Sequence, residues 1–431
     1  MQRRRFVQNS FSLAALTTLG GVSALTGCAT TASVPSKTRV LVVGGGYGGA
    51  TAAKYVRLLS NYQIEVVMVE PQDQFVSCPI SNLVIGGSKT VADLTRPYDG
   101  LSSKHGVIRV KDMVSHIDVE KKVAKLASGV SIGYDKMILS PGIGMMWDSI
   151  EGLQAAQAAG QILQAWKAGP ETAALRRQLE AMPDGGVYAI TVPEAPYKCP
   201  PGPYERASQV AHYFKQAKPK SKVLILDANP DITSKPALFK KFWSDNYKDI
   251  IEFRANHKVT AVDAKTNTLK FDVQESLRAD VLNVLPAMRA GSIAMQTGLA
   301  TVNNRWCGIN YQTFESLAAK DIHVLGDATL AAPAMPKSGH MANSHGKVAA
   351  AAVVAQLSDL AVNPSPLLTN TCYSYVSDKL VIHVASVHQY NAQEKTFKTV
   401  PGSGGLSTEA NALEGTYAWN WAQNIWADTL L

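Results

Sequence analysis

Arg39-Val-Leu-Val-Val43 runs directly into Gly44-Gly-Gly46-Tyr-Gly-Gly49, and Ala50-Thr-Ala-Ala-Lys-Tyr-Val56 follows without a break. Four consecutive aliphatic residues read as a strand buried on both faces, and the small and helix-forming residues after the glycines read as a helix. A second strand, Ile64-Glu-Val-Val-Met-Val69, ends in Glu70. Strand, glycine turn, helix and strand closed by an acid make the βαβ pattern that binds a dinucleotide. Gly44 permits the tight turn, Gly46 lets the backbone approach a pyrophosphate, and Gly49 lets the helix pack on the strand. The free N–H groups of the helix N-terminus face the phosphates. Glu70, 24 residues beyond Gly46, is placed to accept hydrogen bonds from the adenosine ribose.

FAD and NAD share this fingerprint, so other segments decide between them. Tyr134-Asp-Lys-Met-Ile-Leu-Ser-Pro-Gly142 resembles the strand by which flavoproteins with two dinucleotide domains return to the FAD domain. Asp321-Ile-His-Val-Leu-Gly-Asp-Ala328 resembles their second FAD signature, a strand ending in Gly-Asp. That resemblance implies that Gly326 and Asp327 meet the ribityl and phosphate region, where sugar hydroxyls need an acceptor. Three such signals in the right order point to FAD.

A second strand–helix–strand set begins at Gly186-Val-Tyr-Ala-Ile-Thr-Val192, continues through a helix from about Tyr204 to Lys215, and ends at Lys222-Val-Leu-Ile-Leu-Asp227. Its first turn is Pro193-Glu-Ala-Pro-Tyr-Lys-Cys-Pro-Pro-Gly-Pro203 instead of a glycine loop. Proline lacks an N–H and has a fixed φ, so Pro200, Pro201 and Pro203 cannot line a phosphate nest. The scaffold is expected without an NAD(P) site.

Five cysteines stand at 28, 78, 199, 307 and 372. None forms C-x-x-C or C-x-x-C-H, which disfavours a zinc ribbon or a haem attachment in this chain. Cys78 lies in the loop leaving the second strand, within Phe75-Val-Ser-Cys78-Pro-Ile-Ser-Asn82. Cys199 sits in the proline-rich turn, and Cys372 lies far off in Leu368-Thr-Asn-Thr-Cys372-Tyr-Ser374. Taken singly, each fits a small buried side chain or a structural disulfide as well as a redox centre.

Several longer blocks carry a resemblance. They are Val43-Gly-Gly-Gly-Tyr-Gly-Gly-Ala-Thr-Ala-Ala-Lys-Tyr55, Cys199-Pro-Pro-Gly-Pro-Tyr-Glu-Arg-Ala-Ser-Gln-Val210, Met335-Pro-Lys-Ser-Gly339, Gly346-Lys-Val-Ala-Ala-Ala-Ala-Val-Val354 and Asn370-Thr-Cys-Tyr-Ser374. From about Arg39 to its end the chain resembles the flavoprotein subunit of flavocytochrome c sulfide dehydrogenase. The resemblance implies FAD joined covalently to Cys78 through its 8α-methyl group. It implies a redox-active disulfide between Cys199 and Cys372 beside the flavin, with Glu205 as a nearby proton acceptor. Cys307, in Arg305-Trp-Cys-Gly308, falls outside this chemistry and is expected to be a structural free thiol.

The implied reaction is the oxidation of hydrosulfide to sulfur or polysulfide. Hydrosulfide, a thiolate-like nucleophile, would open the disulfide to a persulfide. A flavin turns a two-electron input into single-electron steps, which suits a haem acceptor. With no haem motif here, the c-type cytochrome is expected to be a separate polypeptide. Two rivals remain: a membrane-associated sulfide:quinone oxidoreductase, and a non-catalytic FAD-binding assembly factor.

Arg3, Arg4 and Arg5 with Phe6-Val7, followed by an apolar run from Phe11 to Leu25, read as an export signal and resemble the twin-arginine type. Leu25-Thr-Gly-Cys28 also resembles a lipoprotein processing site, which makes Cys28 a candidate lipid anchor. A periplasmic setting is implied, where disulfides persist. No other apolar run reaches the length of a membrane span. The formal charge of +8 is spread without a Lys/Arg stripe, which argues against a nucleic-acid partner. With 46% hydrophobic and 18% charged residues, the 431-residue chain is globular and large enough for several domains.

The expected organisation is α/β: two Rossmann-like dinucleotide-binding domains of glutathione-reductase type plus a small C-terminal α+β interface domain. A signal and tether occupy 1–36, and FAD-binding parts occupy 37–150 and 296–362. The second Rossmann-like domain covers 151–295 and the C-terminal domain 363–431. In that last domain Leu380-Val-Ile-His-Val-Ala-Ser-Val387 reads as a strand, and Trp419, Trp421 and Trp426 read as residues that pin the terminus to the core or meet a partner. His340 and His345, flanking a Ser338-Gly339 turn, read as packing or hydrogen-bonding residues and not as ligands.

Overall fold

The computed structural model describes residues 38–431. The export-signal and Cys28 readings lie outside the described residues.

In chain order, the first unit supplies β1 (Arg39–Val43), α1 (Tyr47–Leu59), β2 (Glu65–Val69), β3 (Ile108–Val110) and β4 (Lys136–Leu139). The second supplies β5 (Val187–Val192), α2 (Gly202–Ala217), β6 (Lys222–Asp227), α3 (Pro236–Asn246), β7 (Ile251–Arg254) and β8 (Val281–Asn283). The chain then returns through β9 (Ile322–Val324) and α4 (Gly339–Leu357), and ends in β10 (Leu367–Tyr375), β11 (Val381–Asn391), β12 (Thr396–Thr399) and α5 (Ala412–Leu430).

Two parallel sheets result. One runs β9-β4-β1-β2-β3, and the other runs β7-β6-β5-β8. β1 is buried along Val40–Val43 and β5 along Tyr188–Val192, as aliphatic strands covered on both faces require. The two passages between the units pair with each other: Ile143–Met145 lies antiparallel to Met288–Ala290. This is the α/β architecture of two Rossmann-like units, with β10–β12 and α5 as a small α+β addition.

The glycine turn after β1 is set by sterics. Gly44 has φ +98°, and a Cβ there would lie 2.3 Å from the Ser140 carbonyl oxygen. A Cβ on Gly49 would lie 1.9 Å from the Gly44 carbonyl oxygen, so α1 can approach β1 only with glycine at this position.

Three elements differ from their expected form. The helix expected from about Tyr204 starts at Gly202, because Pro203 costs nothing in a first turn whose N–H groups have no partner anyway. His340 and His345 lie inside α4, whose N-cap is Ser338, its Oγ accepting from Met341 N–H at 3.0 Å. The strand expected to end at Val387 continues to Asn391, where it pairs with β12.

The C-terminal helix is pinned to the first unit. Trp426 is buried, donates from Nε1 to the Tyr47 hydroxyl at 2.9 Å, and carries the Arg96 guanidinium 4.1 Å above its ring. Trp419 meets Trp426 edge-on at 5.9 Å. No described helix is long and apolar enough to cross a membrane. Replacing Gly49 with alanine is expected to push α1 off β1, with an overpacking cost of about 1–3 kcal/mol. An earlier thermal unfolding transition of the purified chain is the measurement that checks it.

Candidate active site

Cys78, Cys199 and Cys372 line one cavity, together with Glu205, Trp166 and Trp421. Each cysteine comes from a different part of the fold. Cys78 follows the short strand Gln74–Val76 at the carboxyl side of the first sheet. Cys199 is held in left-handed backbone (φ +58°), its N–H donating to the Lys337 carbonyl at 2.8 Å and its carbonyl accepting from Gly202 N–H at 2.9 Å. Cys372 stands in β10 opposite Val384. All are thiols in this structure, half-buried around the cavity.

Their surroundings differ. Burial alone would raise the Cys78 thiol, but the Lys198 ammonium at 3.1 Å and the Ala168 N–H at 3.5 Å outweigh it and bring it below its ordinary value. Burial pushes the Cys199 thiol far up, and the neighbouring Cys372 and Glu205 add to the effect. Burial also raises Cys372, opposed by Lys235 and by hydrogen bonding from Asn370. Asn370 Nδ2 lies 3.4 Å from Cys372 Sγ, and the Ser338 hydroxyl donates to Asn370 Oδ1 at 2.6 Å.

Glu205 is buried in the first turn of α2. Its Oε1 accepts from Tyr375 N–H at 3.0 Å and its Oε2 from Asn82 Nδ2 at 2.9 Å. Burial raises its carboxyl above the usual range despite these two donors. Asn82 is oriented in turn by Arg206, whose Nε donates to Asn82 Oδ1 at 3.0 Å. Lys235 is buried at the N-terminal end of α3 and donates from Nζ to the Cys372 carbonyl at 3.0 Å and the Ser374 hydroxyl at 2.8 Å. Burial lowers its pKa to about 8.

Lys198 and Lys235 were not singled out in the sequence. Lys198 had one signal, its adjacency to Cys199. Lys235, in Thr233-Ser-Lys235-Pro236, had none. Cys307 is fully buried and its thiol is pushed up to about 12, mainly by burial. His340 accepts from Thr371 N–H at 2.9 Å and His345 from Gly326 N–H at 3.2 Å, so both hold backbone.

The dinucleotide residues gather at the carboxyl ends of β1, β2 and β9. Glu70 Oε2 accepts from Gly45 N–H at 2.7 Å and Oε1 from Gln72 N–H at 2.8 Å, which fixes the glycine turn. The space over Gly46 is open: a Cβ there would meet nothing within 4 Å. Gly326 takes φ +72°, and the buried Oδ1 of Asp327 has no hydrogen-bond partner among the described residues. An orphaned acceptor beside a cleft lined by Gly326, Asp327, Lys337 and Met341 fits a sugar or ribityl hydroxyl. In the second unit the acid ending β6 is already engaged: Asp227 Oδ2 accepts from the Tyr204 hydroxyl at 2.6 Å and Oδ1 from Asn229 N–H at 2.8 Å.

Two Rossmann-like units joined by a paired crossing, with cysteines between them, define a flavoprotein of the disulfide-oxidoreductase class. Residues 38–170 match the family profile "Pyridine nucleotide-disulphide oxidoreductase". Residues 172–286 match the central part of "Sulfide dehydrogenase [flavocytochrome c] flavoprotein chain", and 364–430 match "Flavocytochrome c sulphide dehydrogenase, flavin-binding". A "Sulfide dehydrogenase [flavocytochrome c] flavoprotein chain" from Chlorobaculum thiosulfatiphilum is 59% identical over 46 residues, which are 11% of this chain and 94% of that sequence. The chain belongs to the family of flavocytochrome c sulfide dehydrogenase flavoprotein chains.

A mitochondrial sulfide:quinone oxidoreductase from Dictyostelium discoideum is 21% identical over 304 residues, 68% of this chain; the chain spans only 65% of that relative's length. Among solved structures, the sulfide:quinone oxidoreductase of Aquifex aeolicus has a similar fold, with a TM-score of 0.73 and 16% identity over 91% of each chain. Putidaredoxin reductase in its covalent complex with putidaredoxin gives 0.65 and 16% over 90% of this chain and 93% of that one. The family binds a flavin, and the residues present fit FAD: Gly46 and the start of α1 for the pyrophosphate, Glu70 at the ribose end, Asp327 at the ribityl chain.

In the reduced protein, Cys372 is expected to react with iodoacetamide faster than Cys199 at neutral pH, because Lys235 and Asn370 oppose the effect of burial at Cys372, whereas the neighbouring Cys372 and Glu205 add to it at Cys199. Lys235→Met is expected to erase that preference, read as the ratio of the two modified peptides by mass spectrometry.

Proposed function

We propose that this chain is an exported, FAD-dependent sulfide dehydrogenase that oxidises hydrosulfide through a Cys199–Cys372 disulfide and passes electrons to a c-type cytochrome. The observation that carries the reading is the convergence of Cys78, Cys199 and Cys372, from three distant segments, on one cavity beside Glu205. The same reading places FAD in covalent linkage to Cys78 and the protein in the periplasm, with Cys28 as a candidate lipid anchor. NAD(P) has no part in it: prolines fill the second glycine turn.

The charges around the disulfide assign each sulfur a task. A disulfide opens most readily when the departing thiolate is the more stable one. Cys372 has Lys235 and Asn370 at hand, whereas Cys199 is strongly disfavoured as an anion. Hydrosulfide therefore attacks Cys199 Sγ: a new S–S bond forms there as a persulfide, the Cys199–Cys372 bond breaks, and Cys372 leaves as the thiolate. Glu205 takes the persulfide proton, a task suited to a carboxyl raised above its usual range. A second hydrosulfide removes the outer sulfur as polysulfide and leaves two reduced cysteines. FAD, when bound, supplies the two-electron sink for re-forming the disulfide and hands electrons on singly.

The sulfide:quinone relatives favour one rival, a quinone acceptor. That role calls for an apolar surface able to meet a bilayer. The C-terminal helix α5 turns Ala418, Ala422, Ile425 and Trp426 into the core and exposes Leu413 and Tyr417 as its large apolar side chains, a small patch for that role. Reduction of cytochrome c but not of a short-chain quinone after anaerobic sulfide addition separates the two, and flavin absorbance unchanged by sulfide leaves only the non-catalytic reading.

Cys199→Ser is expected to abolish sulfide:cytochrome c activity; undiminished turnover would reject the mechanism. Glu205→Gln is expected to lower kcat about 10²-fold. Lys235 is charged below about 8 and loses its proton above it. Activity per hydrosulfide is therefore expected to fall as pH rises through about 8, and this alkaline limb is expected to vanish in Lys235→Met.

A further inference from the structure

We infer that Lys198 prepares Cys78 for covalent attachment to the flavin, by holding the Cys78 sulfur as a thiolate at the wall of the cavity. The inference rests on the reading that FAD is linked through Cys78, and it names the residue that makes the linkage form.

The geometry is specific. Lys198 Nζ lies 3.1 Å from Cys78 Sγ, and among the described residues that sulfur is the ammonium's hydrogen-bond partner. A neutral thiol is a weak acceptor, so an ammonium whose direct hydrogen-bond partner is a sulfur is better matched by a thiolate, with the Asp327 carboxylate acting on it only from a distance. Ala168 N–H points at the same sulfur from 3.5 Å. Both partners are held in place. The Lys198 carbonyl accepts from Trp166 Nε1 at 3.2 Å and its N–H reaches Met288 Sδ at 3.5 Å. On the other side, the Ser77 hydroxyl donates to the Pro79 carbonyl at 2.7 Å and lies 2.6 Å from the Tyr47 hydroxyl, and Ser81 N–H donates to the Cys78 carbonyl at 3.1 Å.

The other charged or titratable groups that act on Cys78 are Lys167, Asp327 and Tyr47. Lys167 favours the thiolate and Asp327 opposes it, and neither makes a direct contact with the sulfur, so Lys198 decides the balance.

The step is a thiolate addition with a defined electron count. The Cys78 sulfur forms an S–C bond to the 8α carbon, and one C–H bond of that methyl group is lost, its hydrogen leaving as a proton. FAD, when bound, would take up the electron pair. Two equivalents of ferric cytochrome, the acceptor of the proposed activity, or dioxygen re-oxidise it. The net change is loss of two protons and two electrons from the thiol and the methyl group together.

The test uses the full-length chain loaded with 8-demethyl-FAD, which lacks the reacting carbon and leaves Cys78 free. Iodoacetamide labelling of Cys78 is followed by peptide mass spectrometry against pH. Lys198→Met is expected to slow labelling at pH 6.5 by at least about tenfold and move the inflection to higher pH, while Lys198→Arg retains most of the rate. With ordinary FAD, the fraction of flavin that stays with acid-precipitated polypeptide is expected to accumulate at least about tenfold more slowly in Lys198→Met, at unchanged total flavin. A Lys198→Met labelling profile that matches wild type overturns the assignment. Acid-stable flavin that persists in Cys78→Ser instead overturns the linkage through Cys78, while the labelling profile still reports on Lys198.

Discussion

The hydrogen bond from the Cys199 N–H to the Lys337 carbonyl, 2.8 Å long, joins the two halves of the site. Cys199 belongs to the turn after β5 in the second Rossmann-like unit, and Lys337 to the segment that leads from β9 into α4 in the first. The left-handed backbone at Cys199 is held between this bond and the one its carbonyl accepts from Gly202. That conformation places the thiol in the cavity and allows the preceding Lys198 to reach Cys78. A non-glycine residue in this region of φ/ψ is uncommon and persists only where its surroundings over-determine it. Here the surroundings are the two domains themselves.

Around that bond the cavity divides its charge. Cys78 faces one lysine, Cys372 has another behind its strand, and Cys199 faces Glu205 and the second thiol. The three sulfurs are chemically alike in isolation and unlike in place. One is favoured as an anion, one is raised by burial against an opposing lysine and asparagine, and one is raised by burial together with its neighbours. The difference arises from two ammonium groups and a carboxyl, the carboxyl held by Asn82 and the Tyr375 N–H and one ammonium by the Cys372 carbonyl. Electrostatic asymmetry of this kind is a usual source of divided roles among identical groups.

What could be read in the sequence divides along the same physical line. The glycine turn was legible because backbone sterics at Gly44 and Gly49 allow no other residue, and Glu70 because a strand-end acid is part of the same unit. The loss of the second glycine turn was legible because proline is chemically incapable of that role. The fold class followed from these features and from two aliphatic strand sets. Cys199, Cys372 and Glu205 were reached through resemblance, since their meeting depends on a domain arrangement that spacing alone does not reveal. Lys198 and Lys235 stayed hidden because a long, flexible side chain has a target only once tertiary structure supplies one. The start of α2 was misplaced because proline-rich segments read as turns, although a helix's first turn tolerates proline as well as a turn does. Ser338-Gly339, beside His340 and His345, reads as a turn, whereas Ser338 caps a helix that contains both histidines.

The anchoring of Trp426 to Tyr47 has a consequence for how the molecule is made. Tyr47 stands at the start of the first helix, and Trp426 lies five residues from the last one of the chain. The first sheet also waits for β9, more than 180 residues after β4, before its final strand is in place. The unit that carries the glycine turn is thus completed only by segments that follow the second unit in the chain. Contacts so distant in sequence form late and slowly. Assembly of the cofactor cradle therefore waits for segments far along the chain, and losing α5 back through Trp426 would leave the opening strand–turn–helix without its contact at Tyr47.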